Sequence, residues 1–141
     1  MKRVLGCLSM AALAILLAAP VSAQTITLKA NVPFDFIVAG RTMPAGEYVL
    51  STSGGSSVLQ VQSVPMGIAP AIATINAVNG PWDGNGAVLT FNRYGGDYFL
   101  AKIWDGSAAE GCSLLKSRAE REEAKSASIG KPEVVMVLAR R

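Results

Sequence analysis

Ala87-Val88-Leu89-Thr90-Phe91-Asn92-Arg93-Tyr94-Gly95-Gly96-Asp97-Tyr98-Phe99-Leu100-Ala101-Lys102-Ile103-Trp104 is the stretch that decides the fold. Residues 87–93 read as one strand and residues 98–104 as its return. Tyr94-Gly95-Gly96-Asp97 closes the hairpin between them. On the return strand, simple alternation puts Tyr98, Leu100 and Trp104 on one face with Lys102 among them, and Phe99, Ala101 and Ile103 on the other.

Working outward, the same grammar recurs. Upstream lies the densest turn signal of the chain, Asn79-Gly80-Pro81-Trp82-Asp83-Gly84-Asn85-Gly86. Before it, residues 71–78 are small and β-branched, as in a buried strand. Residues 58–62 and 47–51 are short strands separated by Ser53-Gly54-Gly55-Ser56. Residues 25–32 alternate, and Phe34, Phe36 and Val38 share one face of the run that follows Pro33. Ala39-Gly40-Arg41 reads as a turn and Met43-Pro44-Ala45-Gly46 as a tight corner.

Downstream, residues 111–116 are short and strand-like. Ser117-Arg118-Ala119-Glu120 has the form of a capping box and opens a short polar helix. Arg118 with Glu122, and Glu122 with Lys125, are favourably spaced pairs on it. The last run, residues 132–139, is apolar on both faces, which predicts a place inside a sheet or under a second layer. The sum is an all-β chain of eight to nine short strands with one helix near the C-terminus. It is expected to form an antiparallel β-sandwich or small barrel.

The first 23 residues stand apart from this pattern. Lys2 and Arg3 precede an apolar run, Pro20 breaks it, and Val21-Ser22-Ala23 offers a cleavage site. This predicts a secretory signal peptide over residues 1–23, cleaved after Ala23. The run is shorter than the roughly 20 residues a spanning helix needs, so a retained anchor is the weaker reading. Cys7 precedes the apolar run, which argues against lipidation there. Residues 24–141 then form a single domain, secreted or periplasmic and not membrane-spanning once the signal is removed.

Composition narrows the chemistry. The chain has 13 Lys+Arg and 10 Asp+Glu, and two of the basic residues leave with the signal. A near-neutral domain without a basic stripe is a poor nucleic-acid binder. The chain has no histidine, which removes Ser-His-Asp and Cys-His catalysis and most transition-metal sites. Cys112 is left alone, either buried or pairing between chains. Asp83-Gly84-Asn85-Gly86 lacks the calcium-loop glutamate, since Tyr94 stands at that position. Asp35, between two phenylalanines, reads as an outward-facing strand residue. The remaining acids lie mainly in turns and on the helix. No catalytic residue, metal site or cofactor is predicted, and the chain reads as a non-enzyme.

The aromatics carry the one binding expectation. Trp82, Tyr94 and Tyr98 cluster around the loop and hairpin, where rings beside polar groups could stack on sugars, while Trp104 reads as a core filler.

Val32-Pro33-Phe34-Asp35-Phe36, Met43-Pro44-Ala45-Gly46-Glu47-Tyr48, Arg93-Tyr94-Gly95-Gly96-Asp97-Tyr98-Phe99-Leu100 and Lys116-Ser117-Arg118-Ala119-Glu120-Arg121 occur in that order. As an ordered set they resemble an uncharacterised family of small secreted bacterial proteins, with Met43 standing where leucine is expected. The resemblance implies the class and brings no activity.

The reading is therefore a binding or interaction module of the cell envelope, with a glycan, an apolar small molecule or an envelope protein as its partner. The alternative is a structural envelope protein assembling through strand edges. A carboxylate-based hydrolase is the third reading.

Overall fold

Eight strands of the chain close on themselves as a barrel. The computed structural model describes residues 25–53, 56–65, 67–80, 86–106, 110–127 and 131–141. The expected signal peptide lies outside them. The strands are β1 (Thr27–Val32), β2 (Phe36–Val38), β3 (Arg41–Met43), β4 (Gly46–Thr52), β5 (Val58–Ser63), β6 (Ala71–Asn79), β7 (Ala87–Tyr94), β8 (Asp97–Trp104), β9 (Glu110–Leu114) and β10 (Glu133–Arg140). The helix α1 (Arg118–Ser126) precedes the last strand. Around the ring the order is β8, β7, β10, β1, β4, β5, β6, β9, and β9 pairs back onto β8. Every pairing in the ring is antiparallel. Of the two architectures the sequence left open, the barrel is the one formed.

The strand beyond the expected eight or nine is β3, in a stretch read as turn and corner. Together β2 and β3 make a hairpin outside the ring. β2 runs parallel to β8 and registers Ile37 with Phe99. β9 takes the same edge of β8 further along, from Lys102 to Trp104. One strand edge is thus shared end to end by two partners. The hairpin reaches the other side of the gap through Arg41, whose Nη1 donates to the Pro70 carbonyl at 3.0 Å.

Burial follows the pleat. In β1, Leu28, Ala30 and Val32 are buried while Thr27, Lys29 and Asn31 face out. The alternation fails in β8. Pairing with β7 runs Thr90 with Lys102 and then Phe91 with Leu100, which leaves Ala101 as an extra residue. A bulge of this kind flips the parity of everything beyond it. Tyr98, Leu100 and Ile103 therefore pack with the interior cluster, while Phe99 and Trp104 are buried outside it. The faces expected from unbroken alternation are corrected accordingly: Trp104 leaves the Tyr98 and Leu100 face and Ile103 joins it.

β10 sits inside the ring, as its apolar sequence predicts. Its outer face has no second layer among the described residues, however. Val134, Met136 and Leu138 are exposed, and only the inward Val135, Val137 and Ala139 pack against the core.

Candidate functional site

The interior of an eight-stranded barrel can hold one small ligand or be packed by side chains, and here aromatic rings pack against one another inside it. Phe36 lies edge-on to Tyr48 at 5.0 Å and to Phe91 at 5.5 Å between centroids. Phe34 lies edge-on to Phe91 at 5.1 Å. Edge-to-face packing at these spacings is the favoured aromatic geometry. Phe34 and Phe36 reach the interior because the chain leaves β1 at Pro33 and turns inward. Two bonds hold that turn: Asp35 Oδ1 accepts from the Ala45 amide at 2.8 Å, and the Tyr48 hydroxyl donates to the Pro44 carbonyl at 2.6 Å. Asp35 is exposed, as expected, and its carboxylate serves the turn. Burial, and to a lesser degree the Asp35 charge, pushes the Tyr48 phenol above its ordinary value.

The aromatic site expected from the sequence is divided by the fold. Tyr94 and Tyr98 stand on opposite faces of the β7–β8 wall. Tyr98 is half-buried at the interior mouth, stacked on Phe34 at 4.0 Å with the Arg93 guanidinium 5.3 Å from its ring centre. Arg93 is held in turn by the Gly95 carbonyl and the Glu133 carboxylate. Tyr94 is buried on the outer face against Phe99, and its hydroxyl has no hydrogen-bond partner among the described residues. Trp104 is also on the outer face. Its ring lies so close over Gly80 and Gly111 that a Cβ at either would meet it at 2.6 or 2.5 Å. Trp82 lies outside the described residues. Tyr94 is thus buried, while Tyr98 stays half-exposed between Phe34 and Arg93.

Two further features of the outer wall were not singled out in the sequence. The first is an open groove of about 460 Å³ lined by Ala39, Ile72, Thr74, Leu115, Lys116 and Arg118. It forms where β9 ends, α1 begins and the β2–β3 turn comes alongside. Ala39, at φ 50°, holds a left-handed conformation at its lip, one that costs a non-glycine residue energy. Ser117 caps α1, its Oγ accepting from the Glu120 amide at 3.1 Å. Glu120 itself is buried, and its carboxylate accepts from Asn92 Nδ2 at 3.1 Å. The capping serine thus behaves as read, while the glutamate pins the helix to β7. Arg118 pairs with Glu122 at 3.0 Å.

The second feature is the apolar row of β10. In ring order β10 and β6 are diametrically opposed, so this row and the groove face away from each other. Its signal in the sequence is the apolar run of residues 132–139, which predicts a place inside a sheet or under a second layer; β10 takes the first.

Cys112, on β9, is half-buried against the core, and burial followed by the Asp105 charge raises its thiol pKa. No three of His, Cys, Asp or Glu come together as a metal site among the described residues. No described helix is long and apolar enough to cross a membrane. Compared with known proteins, the chain matches no family model, no curated protein and no solved structure.

Proposed function

We propose that this protein is an exported, non-enzymatic interaction module of the cell envelope that works through the outer wall of its barrel. The observation that carries the reading is the aromatic filling of the interior by Phe34, Phe36, Tyr48 and Phe91. A barrel filled by its own side chains is a rigid scaffold, and its recognition falls to the outside. Export rests on the signal-peptide grammar of residues 1–23. The reading as a non-enzyme rests on the missing histidine and on the structural use of Asp35 and Glu120.

Native mass spectrometry of the protein recovered after export tests this. The expected spectrum is the bare polypeptide mass. A small molecule that stays bound until the barrel unfolds would overturn it.

The edge-assembly alternative has one observation in its favour. β10 registers with β1 only at Ala139 and Arg140, against seven positions with β7. Sedimentation velocity separates the two readings, since edge assembly requires a species larger than the monomer.

A further inference from the structure

We propose that the ridge centred on β10 is a docking face for an anionic phospholipid surface; the proposal rests on the outer-wall reading and names its partner. Val134, Met136 and Leu138 project from one face of a single strand and are 53%, 60% and 77% exposed. Three large apolar side chains held in water in a row usually mark an interaction surface. At the Leu138 end of the row, Arg140 registers directly with Lys29 on β1. Both are exposed and both face outward. Like charges opposed across two strands destabilise a sheet, and neither side chain makes an ion pair among the described residues. Glu47, one step along on β4 opposite Asn31, makes none with them either. The neighbouring Arg141 approaches Asp105 at 4.0 Å. An anion laid across Lys29 and Arg140 removes their repulsion.

The shape favours a membrane over a protein. The ridge is one strand wide on a convex wall. A stable protein interface needs about 800 Å² on each partner, and three side chains fall well short. A lipid interface asks for less: a few apolar side chains at the acyl boundary and cations among the headgroups. A convex ridge meets a flat surface along its length. The strands flanking the ridge are polar at their outer faces, with Lys29 and Asn31 on β1 and, on β7 opposite Val134, Asn92 bonded to Glu120 of α1. Only the ridge enters, unlike the continuous apolar band of a spanning barrel. Docked this way, the protein turns the Ile72–Leu115 groove away from the lipid.

The test is flotation of the exported protein with vesicles of pure phosphatidylcholine and of phosphatidylcholine with roughly one-third phosphatidylglycerol. Binding is expected on the anionic vesicles alone, and it should weaken as salt rises. Lys29→Gln with Arg140→Gln should weaken it by roughly thirtyfold, about fivefold per cation. Leu138→Asp should weaken it about tenfold or more. All three positions are exposed, so thermal melts should show no loss, with a small gain for the Lys29 and Arg140 pair, and confirm that the variants fold. No flotation on anionic vesicles overturns the proposal. So does equal binding to neutral ones, or binding that survives both substitutions. A bare native mass beside failed flotation sinks the lipid partner and leaves the outer-wall reading standing. A retained interior ligand sinks that reading instead.

Discussion

The β7–β8 wall and the β10–β1 seam are built from equally apolar sequence and end in opposite states. β7 is buried on both faces over most of its length, and its pairing with β8 is continuous apart from one bulge. Its outer face is closed by Trp104, Phe99 and Tyr94. β10 shares its other edge with β1 at only two positions and leaves its outer apolar row in water. The lesson is that apolar character on both faces of a strand does not specify coverage. Coverage comes from what is laid over the strand: α1 is bonded to β7 through Glu120 and Asn92, and Gly80 lies against Trp104 on β8, while β1 beside β10 turns out Lys29 and Asn31.

The hardest break to this contrast should come from the interior both regions share. Phe36→Ala removes a ring touching Tyr48 and Phe91 and should cost about 3–5 kcal/mol, read as a lower urea midpoint. Next is the closed wall. Gly111→Val drives a side chain into Trp104 and should cost roughly 1–3 kcal/mol, with a change in tryptophan fluorescence. Asn92→Ala strips the buried Glu120 carboxylate of its described partner. Its expected cost is also about 1–3 kcal/mol, with early exchange of the α1 amides.

Alkali offers a gentler probe of the interior. The Tyr48 phenol has its pKa raised above the ordinary 10.0, so the folded state holds that proton more tightly than the unfolded chain does. Its contribution is therefore intact below pH 10 and declines as pH climbs past 10 towards the folded value. A Tyr48→Phe variant should lose this part of the alkaline decline in a pH series of melts. The smallest effect belongs to the ridge. Met136→Thr should shift stability by no more than about 0.5 kcal/mol. A drop comparable to that of Asn92→Ala would mean that the ridge is covered in the native protein.

The sequence made much of this legible, for local reasons. The β7–β8 hairpin announces itself because Gly95 and Gly96 sit between two apolar runs, and Gly95 adopts φ 61° as a two-residue loop requires. The helix start is visible because a capping serine acts within its own turn. What was hidden depends on partners distant in sequence. The parity flip after Leu100 appears only when β8 is laid against β7. Ring closure depends on β9 finding the half of β8 that β2 leaves free. Tyr94 and Tyr98 look like neighbours along the chain, yet the pleat sends them to opposite faces. Trp82, the third member of that expected site, lies outside the described residues. The apolar pattern of residues 132–139 predicts the place of β10 inside the sheet, which it has, and is silent on whether its outer face is covered.

The place of β10 in the ring has a kinetic consequence. β10 is the strand that joins β7 to β1, so the wall cannot close until residues 133–140 pair with both. The pairs β1–β4, β4–β5, β5–β6 and β7–β8 join strands near in sequence, whereas β10 meets β1 across more than a hundred residues, a non-local pairing of the kind that slows folding. The ring is thus closed by contacts made across most of the chain's length, and β10 acts as its clasp.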